Sequence, residues 1–328
     1  MQICFLDNTK FQYNYRDKYS PKLRGGETVL INLSSALAKM GHKITIFNNC
    51  YKNEIFDGIE WININQKDIP ENKKACDLAI SNGDTSLFEK VKSSKKVLFS
   101  HSIQTIEKFI RKKQLYSYLK HRPKIVFLGN YHKHKTSKIC SLFGHLRLNL
   151  AVDDLFINHR LDSVIDKDQS IFTSRADRNL DLLLDIWNED IFPNFKTGKL
   201  LVTKPAKKIN QKNNIIIREL DTQEKMLKDL SMSKVFLVPG HKAELFCLAA
   251  EEANELCIPT VTLGIGCLSE RVKHGETGFV AKNNKEFGKF VLDIYKDENL
   301  WSELRKNLIN RRGFYKWSDA AKEFISKI

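Results

Sequence analysis

Glu244 and Glu252 stand eight residues apart in the segment Glu244-Leu-Phe-Cys-Leu-Ala-Ala-Glu251-Glu252-Ala253. Residues 235–238 before them read as a buried strand, and residues 245–256 read as a helix. Eight helical residues rise about 12 Å at ~1.5 Å each. That is close to the separation of the two hydroxyl-bearing ends of a nucleotide sugar, with its diphosphate between them. An ionised carboxylate only accepts hydrogen bonds, so each glutamate suits a pair of sugar hydroxyls. A helix N-terminus at the end of a strand suits a phosphate group. The plain alternative is a helix-terminal carboxylate favoured by the dipole, together with a solvated glutamate. Glu251, next in the chain, competes with Glu252 for the inward position.

The elements that would position these groups alternate between strand and helix. Residues 1–7, 43–47, 77–81, 97–100 and 125–128 read as strands. Residues 27–40 read as a helix with Val29, Leu30, Leu33 and Leu37 on one face and Gly41 at its stop. Residues 161–169 are polar and read as a linker. The alternation then restarts with strands at 170–173, 199–203, 215–217, 235–238 and 259–263, and a helix at 180–187. Continuous apolar strands alternating with helices predict parallel, doubly wound sheets, and two of them leave a cleft at the carboxyl ends of their strands. The length of 328 residues fits two such domains.

Composition narrows the classes. Hydrophobic residues at 42% and charged residues at 28% describe an ordinary globular protein. No apolar run reaches the roughly 20 residues of a spanning helix, and no secretory leader is apparent, so a cytoplasmic location is expected. The seven cysteines show no C-x-x-C, which argues against a disulfide framework or a zinc site. A net charge of +15 points to an anionic partner. Between Glu107 and Lys124, basic residues including Arg111, Lys112 and Lys113 are interleaved with Phe109, Ile110, Tyr116 and Leu119. Such a stretch reads as a basic amphipathic helix on a membrane or acceptor surface, or as a solvated face over a buried stripe. Asp166-Lys-Asp168 falls in the linker and reads as solvated. The first strand is not followed by G-x-G-x-x-G, and no P-loop occurs. No recognised nucleic-acid module is present, so no nucleic-acid partner is expected.

Several segments in order resemble retaining GT-B glycosyltransferases of family 4. The segment from Glu244 is similar to their E-G-F-G-L-x-x-x-E-A, with Leu245 and Cys247 in place of two glycines and the second glutamate on Glu252. Thr173-Ser-Arg175-Ala-Asp-Arg178-Asn179-Leu resembles their G-R…K-G segment. Gly266-Cys-Leu-Ser-Glu270…Gly275-Glu-Thr-Gly278 resembles their G-x-x-E…G-x-T-G segment. Arg24-Gly25-Gly26-Glu27 resembles their opening loop, and His101 the histidine that ends a strand of their first domain.

The resemblance implies an α/β GT-B fold, two doubly wound Rossmann-like domains facing a cleft. An acceptor domain would span 1–160, a linker 161–169, a nucleotide-sugar domain 170–312, and a crossing-back helix 313–328. It implies retaining, metal-independent hexosyl transfer. Glu244 and His101 would lie at the reacting sugar. Gly25, Gly26, Arg175, Arg178, Phe246, Cys247, Leu248 and Glu252 would bind the donor. Arg175 and Arg178 would clamp the diphosphate, their forked guanidinium donors matching its charges; their alternative is pairing with Asp177 or Asp181. The donor would be a UDP- or GDP-linked co-substrate with no further cofactor. The acceptor would be a saccharide or a lipid-linked molecule of surface polysaccharide or lipopolysaccharide assembly, with a peripheral contact at the inner membrane face. A GT-B-fold epimerase or phosphorylase, and a non-catalytic nucleotide-sugar scaffold, are the alternatives.

Overall fold

A computed structural model turns the apolar start of the chain into a central strand, β1 (Gln2–Leu6). It describes residues 1–66, 69–204, 211–219 and 221–328. The chain divides into two units, Met1–Leu150 with Trp317–Ile328, and Ala151–Lys316.

In the first unit β1 lies between β2 (Lys43–Asn48) and β5 (Ala75–Asn82), paired in parallel with both. Strands β3 (Glu54–Phe56), β4 (Ile59–Asn63), β6 (Lys92–Phe99), β7 (Lys124–Phe127) and β8 (His145–Arg147) complete the order β3-β4-β2-β1-β5-β6-β7-β8. Ile3, Cys4, Phe5 and Leu6 are all buried, as an unbroken apolar strand covered on both faces must be. The helix Gly25–Lys39 buries Val29, Leu30, Leu33 and Leu37 and stops where Gly41 takes a positive φ of 86°. The helix Trp317–Ser326 packs against it, burying Trp317, Ala320, Ala321 and Phe324. Lys327 Nζ donates to the Arg147 carbonyl at 2.8 Å. The antiparallel pair β3–β4 is not among the strands expected above. Asp57 and Gly58 both have positive φ (51° and 73°), the two-residue turn that Asp-Gly favours.

In the second unit β9 (Asp166–Phe172) is central, in the all-parallel order β11-β10-β9-β12-β13-β14. The others are β10 (Lys199–Thr203), β11 (Ile215–Arg218), β12 (Ser233–Leu237), β13 (Thr260–Thr262) and β14 (Gly278–Val280). Residues 166–169 are therefore strand rather than linker. Asp166 is held by Lys199 Nζ at 2.8 Å, and Gln169 Nε2 donates to Ser233 Oγ at 2.8 Å. Polar side chains satisfied within the sheet hide this strand from a reading by hydrophobicity.

The basic stretch also differs from its expectation. It forms two short helices, Ile106–Arg111 and Leu115–His121, and not one. Lys113 between them adopts a left-handed conformation with φ 56°, so the first helix ends at Arg111 with Lys112 as its cap. Among the described residues no helix is long and apolar enough to cross a membrane. All seven cysteines carry free thiols.

Candidate functional site

The second unit gathers its charged groups at the carboxyl ends of β9 and β12. Beyond β12 the chain turns at Gly240, with φ 97°. A Cβ there would lie 2.4 Å from the Ile265 carbonyl oxygen, and one at Gly266 would lie 2.3 Å from that of His241. Two loops therefore pack backbone to backbone, which only glycine allows. Cys267 N donates to the Glu244 carbonyl at 3.2 Å across the same contact. This fixes the position of Glu244.

The helix begins later than the sequence suggests, at Leu248 and not near 245. Cys247 precedes it with φ 63° and ψ 75°, in the left-handed region. Glu244, Leu245 and Phe246 thus lie in a turn, and the 12 Å helical rise does not apply to the whole interval. Asn179, likewise at a glycine position of the resemblance, is left-handed too (φ 66°), and its side chain donates to the Gly240 carbonyl at 2.5 Å. Both replacements keep the backbone shape that glycine would give.

Glu244 meets the loop after β9. Its carboxylate lies 3.1 Å from Arg178 Nε, both side chains being mostly buried. Burial raises its pKa, and Arg178 and the Cys247 thiol partly offset this. Arg175 pairs with Asp177 at 2.6 Å, the alternative noted from the sequence, and Arg178 Nη1 lies 3.6 Å from the same Asp177 oxygen. Four charges thus converge at the start of the helix Leu248–Glu255, whose first amides have no intrahelical partner.

Glu252 is the inward member of the adjacent pair. It is 9% exposed, and burial, then the charge of Asp153, pushes its carboxyl up to about 7; Gln223 works the other way through a hydrogen bond. Glu251 instead pairs with Arg271 Nη1 at 3.2 Å, and Arg271 also lies over the Phe246 ring, 4.5 Å from its centroid. Arg271 therefore holds Glu251, while Glu252 shares the buried side of the helix with Ala250 and Ala253.

Asp153, Gln223 and Arg271 are site neighbours that sequence reasoning did not place. Asp153 carries a local signal, since it caps the helix Asp154–Ile157 by accepting from Leu155 N at 3.0 Å. Its approach to Glu252 spans about a hundred residues and has no local signal.

In the first unit, Gly25 and Gly26 open the helix Gly25–Lys39, and a Cβ at Gly26 would lie 3.2 Å from the His101 ring. His101 also stacks on Phe99, with centroids 5.1 Å apart. Burial, then His132, lowers its pKa to about 4, so the ring is neutral at pH 7. Arg111, Lys112 and Lys113 are exposed, at the end of the helix Ile106–Arg111 and in the turn after it.

Solved structures share this two-sheet architecture along the whole chain. Sucrose-phosphate synthase from Thermosynechococcus elongatus superposes with a TM-score of 0.73 at 14% identity, over 100% of this chain and 98% of that one. HepE of Anabaena, in complex with UDP and glucose, gives 0.70 at 14% identity over 100% and 99%. WaaG, a glycosyltransferase involved in lipopolysaccharide biosynthesis, gives 0.69 at 12% identity over 99% of each. The chain has the GT-B fold. Residues 197–312 match the family Glycosyl transferases group 1, a span that holds Glu244, Phe246, Cys247, Leu248 and Glu252 of this GT-B chain. No curated protein sequence matches it.

Proposed function

We propose that the chain transfers a hexosyl group, with retention of configuration, from a nucleotide sugar to a saccharide or lipid-linked acceptor in surface polysaccharide assembly. The observation that carries this is the convergence of Arg178, Glu244 and the start of the helix Leu248–Glu255, with Glu252 buried farther along it. Each part of a donor then has a partner. Arg175, Arg178 and the amides of Phe246, Cys247 and Leu248 hold the diphosphate. Glu244 orients the sugar hydroxyls, and Glu252 accepts from the ribose.

As the glycosidic bond to the diphosphate breaks, negative charge grows on the leaving oxygen. Preorganised guanidinium and amide donors stabilise that charge, the task a metal performs elsewhere. Among the described residues no group of three or more His, Cys, Asp or Glu is placed to hold a metal ion. In the first unit, neutral His101, packed against Gly26, is the group assigned to the reacting sugar. The left-handed backbone kept at Asn179 and Cys247 favours a working site over a non-catalytic scaffold.

HepE, solved with UDP-glucose, puts uridine donors first. The test incubates the chain with UDP-glucose, UDP-N-acetylglucosamine and GDP-mannose, with and without EDTA. One donor should be hydrolysed slowly, transferred when an acceptor is supplied, and unaffected by EDTA. Its nucleoside diphosphate at 100 times Kd should add about 2.7 kcal/mol of stability. Epimerised donor would favour the epimerase, and binding without turnover would favour the scaffold.

A membrane contact is a separate part of the proposal. Ile110, Tyr116 and Leu119 are 59%, 74% and 44% exposed on the paired short helices, beside Arg111, Lys112, Lys113 and Lys120. Apolar and cationic groups together suit an anionic interface. The chain should sediment with phosphatidylglycerol vesicles and lose most of that binding in Ile110→Glu/Tyr116→Glu. Equal retention by neutral vesicles would contradict the contact.

A further inference from the structure

The guanidinium groups assigned to the diphosphate are already neutralised from within. The loop after β9 turns so that Arg178 N donates to the Arg175 carbonyl at 2.9 Å, which folds Asp177 between the two arginines. One Asp177 oxygen lies 2.6 Å from Arg175 Nη2 and 3.6 Å from Arg178 Nη1. Glu244 holds the Nε edge of Arg178 at 3.1 Å. Two cations therefore face two carboxylates.

The two carboxylates differ in how they are held. Glu244 is anchored by its backbone and is mostly buried. Asp177 and Arg175 are 52% and 56% exposed, so their pair is cemented by nothing but solvent-screened attraction. Arg271, by contrast, is 7% exposed and fixed between Glu251 and Phe246. Only the Asp177 pair is free to open at small cost. A diphosphate on the Arg175 fork would face the Asp177 carboxylate across a few ångströms, and the repulsion between the two anions sets them in competition for it.

We propose that Asp177 is a built-in competitor for the diphosphate: a ligand engages Arg175 only by displacing it. This rests on the donor-site reading above. Asp177 then acts as a positioning residue that sets selectivity and release. A small anion gains only the clamp, which Asp177 already fills, so inorganic phosphate and pyrophosphate are disfavoured. A nucleotide sugar has ribose and sugar contacts in addition, and those drive the exchange. After transfer, the carboxylate returns to Arg175 and helps expel the nucleoside diphosphate.

The experiment is calorimetric titration of UDP, GDP and inorganic pyrophosphate into the wild type, Asp177→Asn, Arg175→Ala and the double variant, with Asp177→Ser as a second replacement. Removing the competitor should tighten nucleoside diphosphate and pyrophosphate binding about three- to tenfold, the range expected for an exposed ion pair and its like-charge repulsion. The gain should vanish in the Arg175→Ala background, and melting temperatures should not change. Equal or weaker binding by both Asp177 variants, while the wild type binds UDP or GDP, would overturn the proposal and leave the donor site standing. A gain that persists without Arg175 would overturn it too, since a general charge effect would explain it. Failure of every protein to bind any of the three ligands would remove both readings.

Discussion

Glu252→Gln should make the chain more stable at pH 8 and a poorer binder of nucleoside diphosphate. Glu252 is 9% exposed, and its carboxyl is pushed from the ordinary 4.5 up to about 7, first by burial and then by Asp153. The folded chain therefore keeps a proton that the unfolded chain releases. Between pH 4.5 and 7 the folded state binds more protons, so stability falls as pH rises through that window. Above it the deficit is about 3 kcal/mol. Glutamine has no charge to desolvate and escapes this loss. The variant should melt higher than wild type at pH 8, and the difference should close toward pH 4.5. Binding moves the opposite way, because the amide offers one acceptor where the carboxylate offers two. Loss of a charged hydrogen bond of about 1.5–3 kcal/mol weakens affinity roughly 10- to 100-fold. Wild-type affinity should also rise between pH 6 and pH 8 as Glu252 ionises, and the variant should lack that rise. Thermal melts across pH and calorimetry at two pH values check both halves. A variant less stable than wild type at pH 8 would contradict the buried-carboxylate account.

Arg178→Ala is the second large effect. It removes the proposed diphosphate contact and also strips Glu244 of its cation, 3.1 Å away in a mostly buried pair. Burial already raises the Glu244 pKa, and without Arg178 it should rise further. Stability should fall by about 1–3 kcal/mol, since a partly buried carboxylate is left uncompensated. Nucleoside diphosphate affinity should fall about 10- to 100-fold with the lost charge-assisted hydrogen bonds. The two losses separate in a second variant. Arg178→Ala/Glu244→Gln should regain most of the melting temperature and none of the affinity. Regained affinity would mean that Arg178 only shields Glu244 and does not touch ligand.

These effects depend on features that the sequence carries unequally. Strands such as β1 and β12 are legible because residues 3–6 and 235–237 are unbroken apolar runs buried on both faces. The start of β9 is not, since Asp166 and Gln169 are satisfied by Lys199 and Ser233 from distant parts of the chain. Read by hydrophobicity, the helix after Glu244 begins too early, because Leu245, Phe246 and Cys247 extend the apolar run. Only the left-handed Cys247 sets its true start. The basic stretch breaks at Lys113 for a similar reason: a left-handed lysine has no sequence signature. The Asp57-Gly58 turn does have one, but the three residues of β3 are too short for alternation to show.

At the site, Glu244 and Glu252 stand out by residue type and spacing, and the other candidates come from the resemblance. Their pairing was not. Glu251 and Glu252 are indistinguishable as neighbours, and the partner that takes up Glu251, Arg271, lies twenty residues on. The carboxylate of Asp177 sits in plain view between two arginines, yet its sharing of one oxygen between them depends on a turn. The environment of Glu252 comes from Asp153 and Gln223, which no local pattern ties to it.

The central claim is that Glu252 belongs to a nucleotide site on the second unit. Titration of UDP and of GDP into the wild type and Glu252→Ala at pH 8 addresses it most directly. One nucleotide should bind the wild type in the micromolar range and bind Glu252→Ala at least about tenfold more weakly. Equal affinity in the two proteins would contradict the claim.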